Sequence, residues 1–257
     1  MRLLLYFLLI FVTASSCSIT RHDFNSKNDY EVALDTLRLY DAAREREIPI
    51  AVYQPVTKLP NEKIVIFSHG YGHNYQKNYL VYSYLTDVLA SKGYFVVSIQ
   101  HELPTDSILP FTGIPQVVRL PFWERGVENI LFVINSLKKT NPELNFEHIA
   151  LIGHSNGGDM TALFPQKYPN VVENIITLDH LRVTLPKTTD LKIFSLRSCD
   201  KEPDEGVLLD KEEQMKYDIK IVKLSKIKHN DMNDFGKRKS KTKIQNYVLE
   251  FLNQEEL

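Results

Sequence analysis

The chain has 257 residues, of which 43% are hydrophobic and 25% charged, and its formal net charge is −1. A chain of this length can bury a sizeable core in one globular domain, and a single α/β domain of this size is ordinary. The small net charge argues against a dedicated nucleic-acid-binding protein, because such proteins carry a basic excess. The two cysteines are too few for a disulfide framework.

The N-terminus has the pattern of a targeting segment. Arg2 precedes an apolar run over residues 3–12, which is too short to span a bilayer comfortably. We therefore predict export, with a secretory signal peptide over residues 1–16 and a polar tether over residues 17–30. The sequence "ASSC", which ends at Cys17, resembles a bacterial lipobox and predicts a cell-envelope lipoprotein lipidated on Cys17. The alternative is ordinary cleavage that leaves a plain thiol, which would give a secreted or periplasmic protein.

Strand and helix patterns alternate through the predicted domain, residues 31–257. Apolar runs such as "KIVIFSHG" are typical of buried parallel strands, whereas "NYLVYSYLTDVLASKG" has helical spacing. In the first half of the chain we predict two strands over 35–55, a strand over 63–70, a helix over 78–93, a strand over 94–100, a loop over 101–121 and a helix over 122–139. In the second half we predict a strand over 148–154, a helix over 156–168, strands over 172–179, 191–198 and 218–226, and a last helix. This alternation predicts a mostly parallel sheet covered by helices on both faces.

The stretch "LIGHSNGG" contains a candidate catalytic serine. Ser155 lies between Gly153 and Gly157, after a predicted strand and before a predicted helix. Strand, sharp turn and helix is the context in which G-x-S-x-G forms a nucleophile elbow, and the glycines allow the strained turn to close. The turn is expected to present the Ser155 hydroxyl at the carboxyl edge of the sheet, where reactive groups gather in such folds.

A serine nucleophile needs a base and a group that orients the base, in the chain order serine, acid, histidine. His180 follows Ser155 too soon to leave room for an acid, so His229, after the last strand, is the predicted base. Asp179 and Asp200 each follow a strand and are both candidates for the acid, and Asp204 is a weaker third. We favour Asp179, because a carboxylate directly after an apolar strand is partly buried and needs a partner.

An oxyanion hole needs two backbone N–H groups that point at the developing negative charge. Asn156, which follows the nucleophile, and Tyr71, in the strand-end motif "SHGYG", are the predicted donors. His69 and His73 have a spacing that a metal site could use. We reject a metal there, because the adjacent glycines disfavour a helix, no H-E-x-x-H motif is present and no carboxylate cluster supports the histidines.

With these residues in place, the chain resembles α/β-hydrolases of the platelet-activating-factor acetylhydrolase, chlorophyllase and dienelactone-hydrolase-like group. The similar blocks are "FSHGYG", "YSYLTDVLASKGYFVVSIQHE", "IALIGHSNGG", "IITLDHLRVTLP" and "HNDMNDF". The resemblance implies an α/β-hydrolase fold, and the short segment before Pro121 suggests a small lid loop and no large cap domain.

The resemblance implies Ser155 as nucleophile, His229 as base, and Tyr71 and Asn156 as oxyanion donors. The resemblance implies two different acids. The acetylhydrolase and chlorophyllase pattern implies Asp179, whereas the pattern of the cutinase-like polyester hydrolases, in which the aspartate stands one strand later, implies Asp200.

We therefore predict a monomeric serine carboxyl-ester hydrolase that acts on a small-molecule or lipid ester without a cofactor or metal. A thioesterase or amidase with the same triad, and a catalytically silent envelope protein with this fold, are the alternatives. A lipidated N-terminus would associate the protein with a membrane.

Overall fold

The computed structural model describes residues 29–253, so the predicted signal peptide and Cys17 lie outside the described residues. The strands are β1 (Val32–Asp41), β2 (Arg46–Pro55), β3 (Lys63–Ser68), β4 (Phe95–Ile99), β5 (Asn145–His154), β6 (Asn174–Leu178), β7 (Lys192–Arg197) and β8 (Lys220–Lys223). The helices are α1 (Ser83–Ser91), α2 (Pro115–Val118), α3 (Leu120–Thr140), α4 (Asn156–Lys167), α5 (Lys211–Lys216) and α6 (Arg238–Asn253). Short 3₁₀ turns occupy Asn78–Leu80 and His229–Asp231.

The eight strands form one sheet in the order β1-β2-β4-β3-β5-β6-β7-β8. Strands β4, β3, β5, β6, β7 and β8 pair in parallel, while β1 and β2 form an antiparallel hairpin at one edge. The predicted mostly parallel sheet is confirmed. Because parallel strands point the same way, the loops that follow them meet at one edge of the sheet, which is where ligands bind in open α/β folds.

Helices cover both faces of this sheet, as the alternating pattern predicts. On one face, α3 and α4 contribute Trp123, Ile130 and Phe164 to a buried apolar cluster. On the other face, Leu85 of α1 and Val248 of α6 belong to a second buried cluster. Both faces of the central strands are therefore withdrawn from water, which explains their continuous apolar sequences.

Four details differ from the prediction. The segment over 101–121 contains α2, which begins at Pro115, a residue favoured at the first position of a helix. Helix α5 was not predicted, although Asp210 and Glu213 form a capping box at its start. Helix α1 begins at Ser83 rather than Asn78, and a distant carboxylate caps it: Asp234 accepts the backbone N–H groups of Ser83 and Tyr84 at 3.0 and 2.8 Å.

The fourth difference concerns the start of the domain. Tyr30, assigned from the sequence to the tether, donates its backbone N–H to the carbonyl of Ser91 at 2.9 Å and therefore belongs to the folded part. Between residues 29 and 253, none of the helices combines the length and the apolar character needed to cross a membrane.

Candidate active site

Ser155 lies at a sharp turn between β5 and α4. Its backbone has φ 52° and ψ −120°, a conformation that residues other than glycine rarely adopt. The neighbouring glycines leave room for this turn, because a Cβ on Gly153 would lie 2.2 Å from the carbonyl oxygen of Gly157. A Cβ on Gly157 would lie 2.2 Å from the carbonyl oxygen of Ser68 in β3. The strained turn therefore depends on glycine at both positions.

The structure brings Ser155, His229 and Asp179 together in a hydrogen-bonded series. Ser155 Oγ lies 3.0 Å from His229 Nε2, and His229 Nδ1 lies 2.6 Å from Asp179 Oδ2. The three residues come from the end of β5, the 3₁₀ turn after β8 and the end of β6. The Asp179 carboxylate accepts the Nδ1–H, so Nε2 presents its lone pair to the serine hydroxyl. The arrangement can therefore remove a proton from Ser155.

Asp179 is fully buried yet stabilised as a carboxylate. Burial alone would raise its pKa, but the hydrogen bond with His229, the charge of Arg197 and the Ser198 backbone hold that pKa at about 2. Arg197 Nη2 lies 3.1 Å from Asp179 Oδ1, and the Ser198 N–H donates to the same oxygen at 2.8 Å. Asp179 is therefore ionised at neutral pH and able to accept the hydrogen bond from His229 Nδ1–H. Its backbone also has a positive φ of 56°.

Asp200 reaches His229 at the backbone rather than at the ring. Its Oδ1 accepts the backbone N–H of His229 at 2.7 Å, which fixes the start of the 3₁₀ turn. The alternative that pairs the imidazole with Asp200 is thus not the arrangement in the structure. Asp204 is engaged elsewhere, in an ion pair with Arg182. The reason is geometric: the end of β6 places the Asp179 carboxylate at His229 Nδ1, whereas Asp200, after β7, reaches the backbone N–H.

A residue inside the serine motif also supports His229. His154 Nε2 lies 3.1 Å from the carbonyl oxygen of His229, and its Nδ1 lies 2.8 Å from the Tyr82 hydroxyl. A carbonyl only accepts, so Nε2 carries the proton and the Tyr82 hydroxyl donates to Nδ1. The Tyr82 oxygen in turn accepts the N–H of Gly70 at 3.0 Å. Burial, together with the nearby His229, lowers the pKa of His154 to about 3, so its ring is neutral.

The predicted oxyanion donors lie beside Ser155. Tyr71 and Asn156 line, with Ser155 and Phe111, a cavity of about 180 Å³ at the carboxyl edge of the sheet. Asn156 is the first residue of α4, so its backbone N–H is one of the helix-terminal donors without a partner inside the helix. The Tyr71 hydroxyl accepts the backbone N–H of Leu109 at 3.1 Å, and this bond joins the loop after β3 to the segment between β4 and α2.

The two histidines with metal-like spacing serve different contacts. His69 is buried, donates from Nδ1 to the Gly70 carbonyl at 2.7 Å and accepts the His101 backbone N–H at Nε2 at 3.1 Å. His73 stacks on Phe111, with ring centroids 6.0 Å apart. Within residues 29–253, no group of three or more histidine, cysteine or acidic side chains is arranged to hold a metal ion.

Three supporting residues were missed from the sequence. Tyr82 and Arg197 have no local signal, because each reaches the site only through tertiary packing. His154 stands inside the G-x-S-x-G motif, yet its role depends on the distant carbonyl of His229.

Comparisons with known proteins find one similar sequence and many structures with a similar fold. No protein-family model matches the chain. A fungal protein of Arthroderma benhamiae, described as a "Probable 1-alkyl-2-acetylglycerophosphocholine esterase", is 32% identical over 118 residues, which are 41% of this chain and 29% of the relative. The matched part of the chain thus spans under a third of that relative.

Two solved structures illustrate the fold. A dienelactone hydrolase-like promiscuous phosphotriesterase from metagenomic libraries superposes with a TM-score of 0.64 at 9% identity, covering 87% of this chain and 98% of the other. An esterase solved with p-nitrophenol gives a TM-score of 0.58 at 12% identity, covering 84% and 80%. The chain therefore has the α/β-hydrolase fold, and its predicted resemblance to acetylhydrolases and dienelactone hydrolases is confirmed.

Proposed function

We propose that this protein is a serine carboxyl-ester hydrolase with Ser155 as nucleophile, His229 as general base and Asp179 as the acid that orients the base. The observation that carries the proposal is the pair of hydrogen-bond distances, 3.0 Å from Ser155 Oγ to His229 Nε2 and 2.6 Å from His229 Nδ1 to Asp179 Oδ2. The similarity to a protein described as an acetylglycerophosphocholine esterase, and to a structure titled as an esterase, supports an ester as the substrate.

In the proposed reaction, Ser155 Oγ attacks the ester carbonyl carbon while its proton moves to His229 Nε2. The resulting imidazolium gives this proton to the departing alkoxide, and an acyl-enzyme on Ser155 remains. A water molecule then loses a proton to His229 and attacks the acyl carbon. The bond between Ser155 Oγ and that carbon breaks as His229 returns the proton to Oγ, which releases the acid and restores the serine. Asp179 keeps the ring in the tautomer with its lone pair on Nε2 and stabilises the imidazolium.

The negative oxygen that forms in each tetrahedral intermediate would be held by the backbone N–H groups of Asn156 and Tyr71. Both residues line the cavity that contains Ser155. Preorganised donors of this kind stabilise charge that appears only in the transition state. The substrate would be a small-molecule or lipid ester whose reactive carbonyl fits this cavity.

The test is a panel of p-nitrophenyl esters of increasing acyl length, with matched thioesters and anilides, on wild-type protein and Ser155→Ala. Hydrolysis of esters is expected for wild type, with a loss of about 10³-fold or more in Ser155→Ala and in His229→Ala. A fluorophosphonate probe should label wild type and the control Ser136→Ala, a serine on α3, but not Ser155→Ala. Labelling of Ser155→Ala, or turnover of thioesters or anilides alone, would contradict the proposal.

We further propose that the protein is exported and that Cys17 carries a lipid anchor. The support is the sequence pattern of residues 1–17. Mass spectrometry of the mature N-terminus distinguishes a lipid-anchored protein from an exported protein without an anchor, and a lipid-modified Cys17 is expected. The variant Cys17→Ala should lack the added mass and should be released from membranes. A mature chain that begins at an unmodified Cys17 or later would leave export without the anchor, and a retained Met1 would contradict both.

A further inference from the structure

Glu102 is a buried acid at the active-site edge of the sheet that the proposed reaction does not use. It follows β4, and only 1% of its surface is exposed. Its Oε1 accepts a hydrogen bond from Asn156 Nδ2 at 3.1 Å. Its Oε2 is buried and makes no hydrogen bond to the part of the chain that the structure describes. An unpaired carboxyl oxygen is costly in the interior, so this acid calls for an explanation.

The Asn156 side chain is held at both ends. Trp123, the first large buried residue of α3, donates its indole N–H to Asn156 Oδ1 at 2.8 Å, opposite the contact with Glu102. A donor at Oδ1 and an acceptor at Nδ2 define one orientation of the amide. Asn156 directly follows Ser155 and starts α4, so these side-chain contacts hold the residue that carries the backbone N–H proposed as an oxyanion donor.

The surroundings of Glu102 favour its uncharged form near neutral pH. The ionisable groups that face it are Arg46, His69, Tyr82, Asp106 and Arg125. Arg46 donates to both oxygens of Asp106, at 2.8 and 2.7 Å, and Arg125 lies 3.5 Å from the same carboxylate, so neither cation is dedicated to Glu102. Burial raises the pKa of Glu102 to about 7, with Arg125 opposing that shift and Asp106 adding to it.

His69 gives a geometric reason for the same conclusion. Its Nε2 lies 3.7 Å from Glu102 Oε2, yet that nitrogen already accepts the His101 backbone N–H. The lone pair, and not a proton, of His69 therefore faces this region, and burial lowers the pKa of His69 to about 4. A charged Oε2 therefore finds no donor on His69, which leaves a negative charge at this position without a hydrogen bond from the ring.

We propose that Glu102 is a positioning residue of the oxyanion hole: it holds Asn156 through the side-chain amide, and the reaction is fastest when Glu102 is the uncharged acid. This inference rests on the proposed function. A negative oxygen forms at the Asn156 N–H during the reaction, so a carboxylate charge on the far side of the Asn156 side chain opposes that step. The neutral acid keeps the hydrogen bond to Asn156 Nδ2 and removes the opposing charge.

The experiment compares kcat and KM for p-nitrophenyl acetate in wild type, Glu102→Gln and Glu102→Ala as a function of pH. Glu102→Ala is expected to lose about 10²-fold in kcat with KM nearly unchanged, because a donor displaced by about 1 Å stabilises the transition state poorly. Glu102→Gln keeps an acceptor without a charge, so its kcat divided by that of wild type should rise as the pH increases through about 7, where the wild-type acid ionises. This ratio cancels the ionisation of groups that both proteins share.

The matched controls are Glu62→Gln and Glu62→Ala. Glu62 is also buried, with an Oε1 that has no hydrogen bond to the described residues, but it precedes β3 at the opposite edge of the sheet. Its variants should lose stability without a change in kcat. If Glu102→Ala does not fold, Trp123→Phe takes its place with the same expected loss of kcat; it removes the bond to Asn156 Oδ1 and also shortens a buried side chain, so its folding is checked first.

Wild-type kcat in a folded Glu102→Ala, or in Trp123→Phe where that replaces it, overturns the inference. A ratio of Glu102→Gln to wild type that stays constant across neutral pH also overturns it, because a purely structural role would give that result. Failure of the inference is distinguishable from failure of the function: an active wild type with unaffected variants refutes the positioning role alone, whereas a wild type that hydrolyses no ester refutes both.

Discussion

Replacement of Asp179 and Asp200 by asparagine, one at a time, tests the proposed triad most sharply. Both aspartates contact His229, but Asp179 does so at the ring nitrogen Nδ1 and Asp200 at the backbone N–H. Asparagine keeps the shape of the side chain and removes its charge, so the two variants form a matched pair. The expected difference between them follows from which atom of His229 each aspartate contacts.

In Asp179→Asn, the asparagine oxygen is expected to stay with the Ser198 N–H, which Asp179 Oδ1 accepts at 2.8 Å. The amide NH₂ then faces His229 Nδ1 and favours the tautomer with its proton on Nε2, which no longer accepts from Ser155. We expect a loss of about 10⁴-fold in kcat, equivalent to about 5 kcal/mol of transition-state stabilisation. In Asp200→Asn, Oδ1 still accepts the His229 N–H, so only a several-fold loss is expected.

The assay is ester hydrolysis at a temperature where circular dichroism shows that both variants are folded. This control matters because Asp179→Asn also removes the ionic partner of Arg197, whose side chain is only 4% exposed. Breaking a buried ion pair by removing one partner costs about 3–5 kcal/mol of folding free energy. A large loss in folded Asp200→Asn together with a mild one in folded Asp179→Asn would refute the assignment.

Three further predictions concern stability and the turn around Ser155. Tyr82→Phe leaves the Gly70 N–H and His154 Nδ1 without their buried partner, so the free energy of unfolding in urea should fall by about 2 kcal/mol or more, and an unchanged value would contradict the assigned bonds. Gly157→Ala places a Cβ 2.2 Å from a backbone oxygen that cannot rotate away, so esterase activity should be lost and the melting temperature should fall; a fully active variant would refute the tight turn. The pKa of Asp179 lies at about 2 in the folded protein, below its ordinary value of about 4. The ionised side chain therefore adds to the free energy of unfolding at neutral pH, and this contribution is lost as the pH falls from about 4 towards 2. Urea unfolding should therefore depend less on pH over this range in Asp179→Asn than in wild type.

The parts of the site that could be predicted from the sequence depend on short-range signals. Ser155 lies in a motif whose glycines, preceding strand and following helix are all within a dozen residues. His229 was indicated by chain order alone, as the histidine after the last parallel strand. The sheet was predictable for a similar reason, because a strand buried on both faces has a continuous apolar sequence.

The choice between Asp179 and Asp200 could not be made from the sequence, since it depends on how two neighbouring strand ends face a loop that begins after β8. Both aspartates follow parallel strands, and both contact His229. Arg197, which helps to keep Asp179 ionised, stands at the end of β7, where an arginine has no distinguishing pattern. By contrast, the capping box of α5, formed by Asp210 and Glu213, is a local signal that the sequence alone contains.

The His229 imidazole is positioned by contacts to the ring and by contacts to the backbone of the same residue. Asp179 holds Nδ1, Asp200 holds the backbone N–H, and His154 donates to the backbone carbonyl. These three contacts come from the ends of β6, β7 and β5, so a loop residue takes its orientation from the rigid edge of the sheet. A histidine in an exposed loop would otherwise sample several orientations, and only one of them directs Nε2 at Ser155. The fold therefore contributes to the proposed catalysis mainly by removing that freedom before a substrate arrives.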